Sequence, residues 1–266
     1  MKTIPLLDLL KRLYPEADKE RLLARILCGE IRVAGETLRD PKTPLPENSH
    51  ISFKPPSPFI SRGGQKLDHA LTVWRVDVRG MVLIDAGASS GGFTDCLLKR
   101  GAKRVYSIDV GYNQLAYTLR RDDRVVALER TNIMAVNRNF FMGGILPHAA
   151  VADLSFRSLR RAAGHLLSLV TEGWLIALIK PQFEWRRPAP DFRGVVRGAE
   201  RYREILQSLI DELWQEGTYL SRITASPVKG RRGNLEFLGL FSREESRPLS
   251  ELQDAVALTV SETVPS

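Results

Sequence analysis

Cysteine is nearly absent: Cys28 and Cys96 are the two thiols in 266 residues. Two cysteines cannot build the disulfide framework of a small secreted fold, and neither belongs to a Cys-x-x-Cys or Cys/His set spaced for zinc. Both are expected to pack as small apolar groups within helices, in a reducing, cytoplasmic setting. Histidine is as scarce, and His50, His69, His148 and His165 share no metal-like spacing, so no metal is assigned. Long apolar runs are missing too. The longest, Leu166–Ile179, contains Glu172 and falls short of the ~20 residues that span a bilayer. Met1–Leu10 does not read as a signal peptide, because Asp8 interrupts its apolar stretch. Acidic residues are in deficit, 31 against 39 Lys plus Arg, which leaves a net charge of +8. Met1–Lys66 carries 12 basic and 8 acidic residues, so half of the excess lies in the first quarter of the chain. Such a surface favours a polyanionic partner. With 43% hydrophobic and 26% charged residues, the composition excludes a fibrous or wholly disordered chain.

What is present reads as two domains. Leu6, Leu9, Leu10 and Leu13 recur at helical spacing up to Pro15. A second helix is expected from Lys19 to Cys28, with Asp18 as N-cap, Leu22, Leu23, Ile26 and Leu27 as its apolar face, and Gly29 closing it. Ile31-Arg32-Val33, the turn Ala34-Gly35-Glu36 and Ile51-Ser52-Phe53 add strands, giving a small helix–helix–hairpin domain over residues 1–56. The prolines of Pro55-Pro56-Ser57-Pro58 mark the boundary. Over residues 57–266, apolar runs at Val82–Asp85, Arg104–Asp109, Val125–Glu129, Ala149–Asp153, Trp174–Lys180, Leu220–Ala225 and Glu236–Phe241 alternate with helical segments. That alternation predicts an α/β fold with a Rossmann-like, mostly parallel sheet of about seven strands. Ser250–Val260 is expected to form a last helix.

The first of these strands runs into Ala86-Gly87-Ala88-Ser89-Ser90-Gly91-Gly92-Phe93, and Thr94–Arg100 looks helical. Glycines between a strand and its helix let backbone pass close to a ligand, and the helix start offers free amide donors. The spacing matches neither a dinucleotide fingerprint nor a Walker loop. Asp85 at the first strand's end and Asp109 at the second's suit a nucleoside, with the Asp109 carboxylate accepting both ribose hydroxyls. Together they point to S-adenosylmethionine rather than a nicotinamide cofactor.

Four further polar residues stand at the ends or starts of expected elements: Lys66 before a helix, Asp153 after the fourth strand, Lys180 after the fifth, and Glu236 opening the last. Ligands of open α/β sheets lie outside the carboxyl ends of the strands, so Asp153 and Lys180 would face the cleft. Methyl transfer to a ribose hydroxyl requires that hydroxyl to lose its proton. A lysine takes the proton only when burial and a neighbouring cation disfavour its ammonium form. Lys180 is the expected base, with Lys66 as neighbour and Asp153 and Glu236 orienting the two amines.

These segments resemble the TlyA, or haemolysin-A-like, group of FtsJ-type ribosomal RNA 2′-O-methyltransferases. The likeness is carried by SRGGQKL at Ser61–Leu67, DAGASSGGFTDCLL at Asp85–Leu98, VYSIDVGYNQLAYTLRRDDRV at Val105–Val125, ERTNI at Glu129–Ile133, ADLSF at Ala152–Phe156, IKPQFE at Ile179–Glu184, GVVR at Gly194–Arg197 and KGRRGNLEFL at Lys229–Leu238. The resemblance implies that Lys66, Asp153, Lys180 and Glu236 form a Lys-Asp-Lys-Glu tetrad. It implies a cofactor site of Asp85, Gly87, Ser89, Gly91, Gly92, Phe93, Asp109, Val110, Asn132 and Asp153, with Asn132 near the adenine. It likens Met1–Lys54 to the small RNA-binding domain first named from a ribosomal small-subunit protein. Where that domain's hairpin usually carries Asn-Gly, this chain has Ala34-Gly35, and Gly198 replaces the usual Asp after Arg197.

Arg62, Arg157, Arg160, Arg161, Lys229, Arg231 and Arg232 would meet an RNA strand crossing the sheet's carboxyl edge. Phe183 and Trp185 are aromatic faces on which a flipped base would stack. Ribosomal RNA or ribosomal subunits are the expected partners, with no DNA and no membrane span. The alternatives are a non-catalytic RNA-binding or ribosome-assembly factor, and a membrane-active haemolysin.

Overall fold

The computed structural model describes residues 3–53, 57–141, 143, 145–155, 158–188, 192–230 and 232–264. It separates into two compact units, Met1–Ser57 and Pro58–Ser266.

In the first unit β1 (Thr3–Pro5) leads into α1 (Leu6–Leu13) and α2 (Lys19–Leu27), followed by β2 (Ile31–Val33), β3 (Glu36–Leu38), β4 (Pro44–Pro46) and β5 (Ile51–Phe53). The strands pair as a three-stranded sheet, β3-β2-β5, and a two-stranded one, β1-β4. Asp18 caps α2 by accepting from the Arg21 amide at 3.0 Å. Leu6, Leu9, Leu10, Leu22, Ile26, Ile31, Leu45 and Ile51 make the core. The expected apolar face of α2 is narrower than the sequence implied. Leu22 and Ile26, four apart, define the buried stripe, whereas Leu27 turns about 100° further round and is 56% exposed. Cys28 follows it outward and is exposed rather than packed; Cys96 is buried as expected.

The second unit contains α3 (Arg62–Trp74), β6 (Val82–Ala86), α4 (Gly92–Lys99), β7 (Arg104–Ile108), α5 (Tyr117–Arg120), β8 (Val125–Leu128), β9 (Ala149–Ala152), α6 (Leu159–Leu169), β10 (Trp174–Ile179), α7 (Pro181–Glu184), α8 (Ala199–Gln215), β11 (Tyr219–Ala225), β12 (Phe237–Ser242) and α9 (Leu249–Thr263). Its seven-stranded sheet runs β11-β12-β10-β9-β6-β7-β8. The strands from β10 to β8 are mutually parallel, and β12 runs antiparallel to both β10 and β11. Side chains alternate between two cores as period-two geometry demands. Val82, Ile84, Ala86, Leu175, Ala177 and Ile179 face the layer of α6, α8 and α9, while Leu83, Ile176 and Leu178 face that of α3 and α4. Strand order reverses between β6 and β9, which opens a crevice at their carboxyl ends.

Lys66 lies one turn inside α3 rather than ahead of it. The helix begins at Arg62, capped by the Ser61 hydroxyl, which accepts from the Gly63 amide at 3.3 Å. Gly63-Gly64 weaken the helical signal in the sequence, but a Cβ at Gly64 would collide with Phe59 and lie 2.9 Å from the Gly92 carbonyl. The glycine is there to let α3 approach α4.

Candidate active site

Strand β6 ends in a turn that no side chain could share. Gly87 has φ +82°, and a Cβ there would sit 2.5 Å from the Asp153 carbonyl, so backbone meets backbone at the crevice. The Gly87 amide donates to the Ile108 carbonyl at 2.8 Å, and Gly91 stands at the N-cap of α4. Asp109, just past β7, binds the turn to its own loop: its Oδ2 accepts from the Ser89 amide at 2.8 Å and its Oδ1 from the Gly111 amide at 2.6 Å. Each carboxylate oxygen keeps a further lone pair for a ligand hydroxyl. Val110 beside it is 72% exposed. Asn132, beyond β8, uses its Oδ1 to accept from the Met134 amide at 3.1 Å. Phe93 buries its ring, so Gly92 and Phe93 have backbone rather than ring to offer a ligand.

Asp85 sits elsewhere than expected. It belongs to the body of β6 and is fully buried, so its carboxyl supports the turn from beneath and has no face in the cleft. Thr94 Oγ1 donates to Asp85 Oδ2 at 2.6 Å and shares a 2.7 Å hydrogen bond with Ser107 Oγ. Oδ1 has no hydrogen-bond partner among the described residues. Burial pushes the Asp85 pKa up to about 7, the Thr94 hydrogen bond opposes this, and the negative charges of Asp153 and Asp109 add to it.

The four polar residues form two ion pairs. Lys66 Nζ meets Glu236 Oε2 at 2.5 Å, and both side chains are buried. Lys180 Nζ meets Asp153 Oδ1 at 2.6 Å and also donates to the Leu154 carbonyl at 2.9 Å and to Ser155 Oγ at 3.1 Å. Ile179 and Phe237 are the last paired residues of β10 and β12, so Lys180 and Glu236 stand next to one another just past the end of that ladder. Asp153 is one step past the Ala152–Ala86 pair, and its amide donates to the Ala86 carbonyl at 2.9 Å. A Cβ at Gly230 would lie 2.5 Å from Glu236 Oε1, so the loop following Lys229 lies against Glu236.

Arg160 departs from the RNA-facing role expected of it. It is 7% exposed and gives its guanidinium inward: Nη1 donates to Glu184 Oε2 at 2.8 Å and to the Glu184 carbonyl at 3.0 Å, and Nε donates to Glu212 Oε2 at 2.8 Å. Glu184 Oε2 also accepts from Ser158 Oγ at 2.6 Å, and its Oε1 accepts from the Leu159 amide at 2.8 Å. Burial raises the Glu184 pKa, against the lowering effect of Ser158, Leu159 and Arg160. Asn234 makes a second bridge: Nδ2 donates to the Gly194 carbonyl at 2.7 Å, and Oδ1 accepts from the Val196 amide at 2.9 Å. The expected surface cations Arg62, Lys229 and Arg232 are exposed, whereas Arg157 and Arg231 lie outside the described residues. Trp185 packs edge-on to Phe192 at 4.8 Å, with the Arg201 guanidinium 4.9 Å above its ring.

A mostly parallel seven-stranded sheet with one reversed strand, and a glycine turn locked to an acidic residue just past the next strand, frame the fold of a methyltransferase. The chain belongs to the FtsJ-like methyltransferases, whose family model matches residues 59–243. It is 35% identical over 250 residues to the 16S/23S rRNA (cytidine-2′-O)-methyltransferase TlyA of Mycobacterium tuberculosis, covering 92% of each chain. It is 38% identical to Hemolysin A of Brachyspira hyodysenteriae over 218 residues, 81% of this chain and 90% of that one. Among solved structures, a candidate hemolysin from Streptococcus thermophilus matches 98% of this chain and 97% of its own, with a TM-score of 0.72 and 31% identity. The methyl donor is S-adenosylmethionine. The residues fit it: a backbone-only approach at Gly87, an exposed apolar side chain at Val110, and an Asp109 carboxylate with acceptor capacity to spare.

Proposed function

We propose that the protein methylates a ribose 2′-hydroxyl of ribosomal RNA, with Lys180 as general base in a set completed by Lys66, Asp153 and Glu236. The observation that carries this reading is the Lys180 amine, held at the carboxyl end of β10 on Asp153, Leu154 and Ser155 and adjoining the residue that pairs with Lys66. Gly87, Ser89, Gly91, Gly92, Phe93, Asp109, Val110 and Asn132 would hold S-adenosylmethionine, which when bound supplies an electrophilic methyl on a sulfonium. Lys180 would take the proton that the ribose hydroxyl gives up as its oxygen is methylated. For that it must enter the step as the neutral amine, whose two N–H groups can stay on Asp153 and the Leu154 carbonyl while its lone pair meets the hydroxyl. Asp153 and Glu236 fix the directions of the two amines. The names of the relatives support the substrate class, and residues 1–56 are read as its small RNA-binding domain. Arg62, Lys229 and Arg232 are exposed cations available to phosphates.

Lys180→Ala is expected to bind S-adenosylmethionine with little change and to lose transfer by at least about 10²-fold, the size of a removed general base. Transfer within a few fold of wild type would overturn the assignment. The Hemolysin A name of one relative calls for a parallel check of dye release from liposomes, and none is expected. No helix among the described residues is long and apolar enough to cross a membrane.

A further inference from the structure

The IKPQFE segment contributes an acidic residue, Glu184, whose place the methyl-transfer reading does not use. From Lys180 the chain enters α7 and reaches Glu184, whose carboxylate accepts from Ser158 Oγ and the Leu159 amide at the start of α6. Lys180 Nζ itself donates to the Leu154 carbonyl and to Ser155 Oγ. A small cavity is lined by Leu154, Leu159, Lys180 and Glu184. Arg160 pins Glu184 at its carboxylate and main-chain oxygen and anchors it to Glu212 on α8. Glu184 and Arg160 are 4% and 7% exposed, so the pair is shielded from competing water and salt.

We infer that Glu184, held by Arg160, is a positioning residue. It clamps α7, which starts from Lys180, onto the start of α6 and so fixes the direction of the Lys180 amine. The inference rests on Lys180 being the base. A buried ion pair is a poor source of net stability, since desolvation offsets its attraction, but it holds one geometry and is costly to break. Holding the element that carries the amine is a use for that rigidity.

The test compares wild type, Glu184→Gln, Glu212→Gln and Lys180→Ala. The first readout is the single-turnover methylation rate per cofactor-binding site, at saturating RNA and cofactor. The second is trace acetylation by acetic anhydride, scored by mass spectrometry at Lys180 relative to the exposed Lys229. Glu184→Gln is expected to slow single turnover by about 10–100-fold, the cost of a misplaced group. Its cofactor affinity should stay unchanged and its Lys180 should acetylate faster. Glu212→Gln keeps an acceptor for Arg160 and leaves the Arg160–Glu184 contacts in place, so it should move neither readout. If Glu184→Gln does not fold, Arg160→Lys, which keeps the charge but not the forked geometry, is expected to show the same pattern more weakly. Unchanged rate and unchanged Lys180 labelling in these variants would overturn the inference. Transfer by Lys180→Ala would instead overturn the reading beneath it, and the acetylation arm decides for the clamp whether or not the RNA offered is a substrate.

Discussion

Asp85 carries the least settled charge in the methyltransferase unit. Its carboxyl is buried, one oxygen lacks a partner among the described residues, and its pKa rises from 3.8 to about 7. The folded state therefore holds one proton more than the unfolded chain between about pH 4 and about pH 7, and stability falls as pH rises through that window. A rise of about three units corresponds to roughly 4 kcal/mol lost once the pH passes 7. Glu184, raised through burial, acts with the same sign. Asp85→Asn keeps an acceptor for Thr94 and removes the titration. Urea denaturation at about pH 5 and about pH 8 is expected to show the wild type losing stability at the higher pH, and the variant losing clearly less. Equal losses in both would contradict a neutralised Asp85.

The elements differ in how plainly they declare themselves. All seven expected strands of the large sheet are present, because each is a run of β-branched or aliphatic residues bounded by glycine, charge or proline. Ligands of such sheets lie outside the carboxyl ends of the strands, so Asp109, Asp153, Lys180 and Glu236 stand out in the sequence as candidates for the cleft. The strands β1 and β4 could not, because Thr3-Ile4-Pro5 and Pro44-Leu45-Pro46 carry prolines that argue against pairing. The Glu184–Arg160–Glu212 network was also illegible: its members lie 24 and 52 residues apart, and nothing local distinguishes Arg160 from its exposed neighbour Arg161. Burial of a charge is decided by tertiary packing, which periodicity does not report. The hairpin turn of the first unit makes a prediction at this scale. Ala34 and Gly35 are both left-handed, with φ of 49° and 86°, as a two-residue turn between β2 and β3 demands. That conformation costs alanine more than asparagine, so Ala34→Asn should stabilise the unit by about 0.5–1 kcal/mol. A lowered thermal midpoint would contradict the turn assignment.

For the whole molecule, a net charge of +8 and exposed Arg62, Lys229 and Arg232 would place the proposed RNA binding under electrostatic control. Affinity for RNA should fall steeply with salt. Replacing those three cations with glutamine should reduce the slope of log affinity against log salt by about 2, at roughly 0.7 for each phosphate no longer neutralised. An unchanged slope would remove them from the interface. The central claim is the identity of the product. Wild-type protein and Lys180→Ala, each given S-adenosylmethionine labelled in its methyl group and separated small and large ribosomal subunits, are to be compared by digesting the RNA to nucleosides for mass spectrometry. A labelled 2′-O-methylnucleoside is expected from the wild type and none from the variant. A label on a base, or the same product from both proteins, would contradict it.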